Sequence, residues 1–163
     1  MNTNKITFET KLGYFSLYWD EKGLRGTSFF FDKKKNSEAP SWVKKLQKRI
    51  EKYYQGVSDN FRDIKIVVDN KTEFQKKVYE VVRNIPRGKV LTYKEVAFQA
   101  GSPLAFRAIG QIMARNPFPL IVPCHRVVGS GKLGGFSAPG GLKTKCAMLK
   151  IENFEFDSNK SSP

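Results

Sequence analysis

The stretch Ile121-Val122-Pro123-Cys124-His125-Arg126-Val127-Val128 holds the only histidine of the chain and one of its two cysteines. Proline has no backbone N–H, so a central strand running unbroken through Pro123 is disfavoured. A turn that presents one side chain is the simpler structure there. A thiol followed directly by an imidazole makes Cys124 a candidate nucleophile, because the thiolate is the reactive form and a nearby base can generate it. Taken alone, a Cys-His pair more often packs than reacts, since unpaired cysteine is among the most buried residue types. The rest of the chain decides between the two readings.

The 163 residues fit one medium domain or two small ones. Hydrophobic residues make up 40% of the chain, with 13 Phe among them, enough for a packed core. No stretch approaches the ~18 apolar residues that a membrane span needs. Met1-Asn2-Thr3-Asn4-Lys5 has no apolar run behind it, so no signal peptide is expected. Two cysteines without a secretion signal read as reduced thiols of a cytoplasmic protein. One His and two Cys do not supply the four nitrogen and sulfur ligands of a structural zinc site, so no metal is expected.

The net charge is +14, which favours an anionic partner. Residues 1–70 carry 14 Lys/Arg and 9 Asp/Glu, whereas Val81 to Lys150 carry 11 Lys/Arg and a single acid, Glu95. A general solubility charge is the plainer explanation. The near absence of acids around Cys124 favours a nucleic-acid footprint instead.

Residues 5–31 read as strands: Ile6-Thr7-Phe8, Tyr14 to Trp19 and Leu24 to Phe31, separated by short hairpin turns. A polar loop, Asp32 to Asn36, leads to a helix opened by Pro40 and Ser41. Its apolar face is Trp42 or Val43, Leu46, Ile50 and Tyr53 or Tyr54, and Gly56 ends it. Ile64 to Val68 reads as one more short strand, and Asp69-Asn70-Lys71 as a linker. Thr72 and Gln75 form a capping box, with Phe74, Val78, Val81 and Val82 on the helix's apolar face. Ile85-Pro86-Arg87-Gly88 stops that helix. A second box, Thr92 to Glu95, starts a short helix that ends at Gly101. Ser102 is expected to cap a third helix with Pro103 at its first position and Ala105, Ala108, Ile109 and Ile112 packed inward. Two short helices around a tight turn have the pattern of a helix-turn-helix. The glycine-rich loop 129–141 matches no phosphate-binding motif, because Lys132 lacks a following Ser/Thr and helix. Leu142 to Ile151 reads as a last helix, with Leu142, Cys146 and Leu149 on one face and Cys146 in the core. Residues after Phe156 read as a frayed tail.

Pro123-Cys124-His125-Arg126-Val127 resembles the active-site signature of the O6-alkylguanine-DNA alkyltransferases, the methylated-DNA–protein-cysteine S-methyltransferases. Phe74-Gln75, Ile85-Pro86-Arg87-Gly88, Thr92-Tyr93, Arg107-Ala108-Ile109-Gly110, Asn116-Pro117, Gly135-Phe136-Ser137 and Leu149 with Glu152 fall in that family's order and spacing. The resemblance covers roughly residues 72–153. It implies a suicide methyltransferase of DNA repair that flips O6-alkylguanine, and O4-alkylthymine, out of duplex DNA and takes the alkyl group onto Cys124. His125 would act as base through a water, and Glu152 would orient it. Asn116 would brace the turn, and Tyr93 would swing out the nucleotide and donate a proton to the leaving base. Arg107 would fill the gap in the stack, with Ala105, Phe106, Ala108, Arg115 and Tyr93 at the minor groove. Phe136, Ser137, Val127, Met113 and Pro119 would line the base pocket.

Each of these roles has a plainer counterpart: an exposed helix-end glutamate for Glu152, a helix-ending Asn, a surface arginine, a half-buried tyrosine, a core Phe136. Two positions depart from the family pattern. Phe136 stands where Tyr is frequent, and Phe106 stands where a small residue is expected. The implied fold is α+β: a small antiparallel-sheet, ribonuclease-H-like domain over residues 1–70, then a mostly helical domain over 71–156 with a helix-turn-helix or winged-helix-like unit. Residues 157–163 would be a flexible tail. The resemblance implies no cofactor, a monomer, and double-stranded DNA as partner. The alternative is a non-catalytic alkyl-base sensor. Such sensors replace the cysteine, and Cys124 argues against that reading.

Overall fold

A computed structural model describes residues 3–29 and 36–156. Three strands, β1 (Asn4–Thr10), β2 (Gly13–Asp20) and β3 (Gly23–Phe29), form an antiparallel meander in the order β1-β2-β3. Alternation places Phe8, Phe15 and Phe29 in cross-strand register, and their rings meet from strand to strand in tilted and edge-to-face pairs at 5.9 and 5.2 Å. Helix α1 (Ser41–Tyr54) covers this face with Val43, Leu46, Ile50, Tyr53 and Tyr54. Both tyrosines point inward, and of the pair Trp42 and Val43 it is Val43 that is buried. The expected strand end at Phe30 and Phe31, most of the loop after it, and the tail beyond Phe156 lie outside the described residues.

Residues 64–68 do not form the expected strand. Only Ile66 bridges to Leu24, flanked by hydrogen bonds from Leu24 N to Lys65 O and from Val67 N to Leu24 O. Arg83 Nη2 donates to the carbonyls of Phe61, Arg62 and Ile64 at 2.8, 3.1 and 2.9 Å, so the chain enters this segment with the Ile64 carbonyl turned to a guanidinium and not to a neighbouring strand.

The second half is helical: α2 (Glu73–Arg83), α3 (Tyr93–Gln99), α4 (Phe106–Ala114) and α5 (Leu142–Ile151). Both expected capping boxes form. Thr72 accepts from Gln75 N and Thr92 from Glu95 N, and in each case the N3 side chain accepts from the cap's own N–H. A two-residue parallel pairing joins β4 (Leu91–Thr92) to β5 (Val127–Val128) and so fixes the start of α3 beside the Cys124 turn.

Helix α4 begins at Phe106, three residues later than expected from Ser102 and Pro103. Ser102 is used elsewhere: its N–H donates to Ala97 O and its carbonyl accepts from Ala105 N, closing a turn. Ile109, Ile112 and Met113 face the core, whereas Ala108 is exposed and not packed inward. On α5 the inward residues are Thr144, Lys145, Met148 and Leu149, not the expected Leu142 and Cys146, both of which are exposed.

One buried cluster runs from the sheet and α1 through α2–α5. Strand β3 also meets the site segment directly: Thr27 N donates to Pro117 O and Thr27 Oγ1 to Pro119 O, at 2.9 and 2.6 Å. Gly26 permits this approach, because a Cβ there would sit 3.0 Å from Pro117 O.

Candidate active site

The Cys124 turn is built from local chemistry. Pro123 sits at φ −76° and ψ 70°, and Cys124 N donates to Val122 O at 2.7 Å. That is an inverse γ-turn, for which proline's fixed φ is already suited. Cys124–Arg126 then form one turn of 3₁₀-helix. Asn116 braces the segment from both ends: its Nδ2 donates to Val122 O at 2.8 Å and its Oδ1 accepts from Phe118 N at 2.9 Å. Between them Leu120 adopts a left-handed φ of 74°, a conformation that persists only where its surroundings hold it.

Cys124 lies at the floor of a cavity of about 270 Å³ walled by Tyr93, Met113, Ala114, Phe136 and Ser137. A second depression of about 170 Å³ shares Cys124, Met113, Phe136 and Ser137 and reaches Asn116 and Pro119. Four of the five expected pocket residues therefore converge on the thiol. Val127 does not: it is fully buried in the core, facing neither cavity. Gly134, with φ 73°, lets the glycine-rich loop close over the Tyr93 ring, because a Cβ would fall 2.8 Å from the hydroxyl. Burial raises the Tyr93 phenol above its ordinary range, so it is a donor at neutral pH.

His125, the next residue in the chain, is completely buried. Its Nε2 lies 2.8 Å from Glu152 Oε1. Glu152 is buried as well and is not an exposed helix end. Arg126 holds the same carboxylate, from Nε to Oε2 at 3.0 Å and from Nη2 to Oε1 at 2.7 Å, and its Nη1 donates to Ile85 O at 2.7 Å. Tyr53 Oη donates to Oε1 at 2.6 Å.

Burial alone would raise the Glu152 carboxyl, but His125 and Arg126 outweigh it and hold the group well below the ordinary carboxylate range. A carboxylate partner fixes the tautomer: Nε2 carries the proton, and Nδ1, which is buried and has no hydrogen-bond partner among the described residues, carries the lone pair. Burial lowers the His125 pKa against the opposing pull of Glu152, so the ring is neutral. Burial also pushes the Cys124 thiol up, against the Asn116 hydrogen bond and the Lys145 charge. The resting pair is thus thiol and neutral imidazole. A neutral imidazole can accept a proton, and a buried carboxylate stabilises the imidazolium that results.

Lys145 was not legible as part of this region. Its ammonium, fully buried, donates to the carbonyls of Val127, Leu133 and Gly135 at 2.7, 2.6 and 3.1 Å. Those bonds tie α5 to the turn and to the loop that carries Phe136. Burial lowers its pKa to about 8, so all three donors remain at neutral pH. Arg107, Ala108 and Arg115 are exposed at α4, while Ala105 and Phe106 are half-buried. The Lys94 ammonium lies 5.8 Å from the centre of the Phe106 ring.

Residues 73–154 match a family model described as the DNA-binding domain of 6-O-methylguanine DNA methyltransferase. The chain belongs to this family. The methylated-DNA–protein-cysteine methyltransferase of Methanosarcina acetivorans is 40% identical over 152 residues, 89% of this chain and 95% of that protein. The enzyme of the same name from Methanothermobacter thermautotrophicus is 38% identical over 85% of this chain and 79% of its own. Among solved structures, Mycobacterium tuberculosis OGT in complex with DNA superposes with a TM-score of 0.74 at 28% identity, over 91% of this chain and 92% of that one. The O6-methylguanine-DNA methyltransferase of Pyrococcus kodakaraensis gives 0.63 at 26% identity, over 93% and 99%.

Sequence reasoning about the methyltransferase site missed Tyr53, Arg126 as a carboxylate partner, and Lys145. Tyr53 carried one usable signal: a tyrosine on an apolar helix face needs a partner for its hydroxyl. Nothing marked Lys145, whose acceptors are backbone carbonyls and invisible to residue type.

Proposed function

We propose that this protein repairs alkylated duplex DNA by moving the alkyl group from guanine O6 to the Sγ of Cys124, once per molecule and without a cofactor. The observation that carries the reading is the buried Glu152–His125 pair, next in the chain to a thiol that floors an open cavity. His125 Nδ1 takes the thiol proton, through a water. The thiolate attacks the alkyl carbon; the new S–C bond forms as the C–O6 bond breaks. Tyr93 gives its proton to the leaving guanine and is reprotonated through solvent by the proton that left Cys124, which returns His125 to its neutral form; Glu152 balances the imidazolium in the interval. The product is a thioether, which leaves the protein no route back to a thiol.

The target atom lies inside a duplex, so the nucleotide must be extruded before reaction. α3 and α4 dock in the minor groove of double-stranded DNA, and Arg107 fills the space left in the stack. The exposure of Arg107 and Arg115 and the basic excess over residues 81–150 support this placement. Phe136 and Ser137 wall the base pocket, with Met113 and Pro119 beside them. Residues 1–70 and 71–156 serve as a supporting unit and a reacting unit, and the protein acts as a monomer.

Stoichiometry tests the proposal. Duplex DNA carrying O6-methylguanine is incubated with limiting protein, digested and separated by chromatography. One guanine should be restored per protein molecule and none by Cys124→Ser. Turnover beyond one, or restoration by the serine variant, would overturn it.

A further inference from the structure

Tyr53 belongs to α1, far along the chain from the Cys124 turn. Its hydroxyl nevertheless donates to Glu152 Oε1 at 2.6 Å, with both side chains buried. The same oxygen receives His125 Nε2 and Arg126 Nη2 at 2.8 and 2.7 Å. Tyr53 is therefore one of three residues that set the orientation of the carboxylate behind the chain's only imidazole.

The Tyr53 ring is itself fixed. The Arg87 guanidinium stacks on it, 5.2 Å from the ring centre. Arg87 Nη2 also donates to the carbonyls of Gly56 and Ile151. Gly56 follows α1, and Ile151 immediately precedes Glu152. Arg87 thus joins the ends of α1 and α5 around the tyrosine. The neighbouring Tyr54 offers a comparison within the same helix. It is equally buried, yet its hydroxyl has no hydrogen-bond partner among the described residues. Burial of a ring at this end of α1 does not by itself require a hydroxyl; only Tyr53 aims one at a charged acceptor.

We infer that Tyr53 is a positioning residue for the transfer: its hydroxyl fixes the Glu152 carboxylate in the orientation that holds His125 ready to take the Cys124 proton. The N-terminal residues thereby contribute a chemical group to the site in addition to support. The inference rests on the alkyl-transfer reading above.

Tyr53→Phe and Tyr54→Phe each remove one buried hydroxyl from successive positions of one helix, so they form a matched pair. Single-turnover transfer is followed at increasing concentrations of O6-methylguanine duplex. Tyr53→Phe is expected to lower the limiting rate about tenfold, as for loss of one hydrogen bond to a charged group. The half-saturating DNA concentration should not move. Tyr54→Phe should match the wild type in both, and all three proteins should melt within a few degrees of one another. Because the chain has one histidine, its imidazole N–H gives one assignable proton resonance. That resonance should shift in Tyr53→Phe and stay in place in Tyr54→Phe. Equal rates for Tyr53→Phe and wild type, or an equal slowing in both variants, would overturn the inference. A wild type that transfers nothing would instead bring down the alkyl-transfer reading, and this inference with it.

Discussion

Glu152 has two jobs at the residue scale, and they make separate predictions. In the proposed transfer it balances the imidazolium, so Glu152→Gln should slow transfer about a hundredfold, in line with loss of a charged orienting group. It also neutralises Arg126 in the core, so the same change should lower the unfolding free energy by about 3 kcal/mol at neutral pH. The pH dependence has a definite sign. The folded carboxyl pKa is depressed, so its stabilisation is complete above the ordinary carboxylate value and is lost as pH falls. The lowered His125 pKa acts in the same direction, because the unfolded chain takes up that proton first below 6.5. Urea unfolding from pH 7 downward should show stability falling less steeply for Glu152→Gln than for the wild type. The transfer rate should hold down to the ordinary histidine range and decline only below it.

The turn at Cys124 was legible because its signal is local: Pro123 disfavours an unbroken strand. The thiol and imidazole beside it marked only a candidate nucleophile, and the family resemblance raised that above the packed reading. Glu152 was legible only through the family resemblance. Its burial depends on Arg126 and Tyr53, which reach it from 26 and 99 residues away, and no local pattern announces that.

At the scale of the element, helix α5 shows where periodicity gives the wrong face. Leu142, Cys146 and Leu149 look like an apolar stripe, yet the buried stripe is Lys145, Met148 and Leu149. Three backbone carbonyls in the turn and the loop need donors, and a lysine ammonium supplies three. That demand turned the helix. Lys145→Met keeps the stem and strands the carbonyls, and should cost about 3 kcal/mol in urea unfolding. Helix α4 starts later than its Ser102-Pro103 signal predicts for a similar reason, since Ser102 serves the end of α3. Its exposed Arg107 can be assigned by comparison of substrates. If it fills the gap in the stack, Arg107→Ala should slow repair of a duplex about tenfold and of a single-stranded oligonucleotide much less. A phosphate contact would slow both alike and lower the salt dependence of binding.

For the whole molecule, the α+β class and the order of the three N-terminal strands and five helices could be read from alternation, capping boxes and proline and glycine positions, whereas the expected strand at 64–68 is absent and the β4–β5 pairing was not foreseen. The way the two halves join could not. Thr27 to Pro117 and Pro119, Tyr53 to Glu152, and Arg87 to Gly56 and Ile151 are all contacts between distant residues. Together with the continuous buried cluster, they predict one cooperative transition. Both tryptophans, Trp19 and Trp42, precede residue 71, so fluorescence reports the first half, while far-ultraviolet circular dichroism is weighted to the helices of the second. The two denaturation curves should coincide; separate midpoints would mean that the halves unfold independently.

The most direct measurement is the intact mass of the protein after incubation with duplex DNA containing O6-methylguanine, for wild type and Cys124→Ser. The expected result is a gain of one methyl group on the wild type, mapped to the peptide that contains Cys124, and no gain on the variant. A wild type that binds the lesion with its mass unchanged, or a methyl group mapped to Cys146, would contradict the assignment of Cys124 as the acceptor.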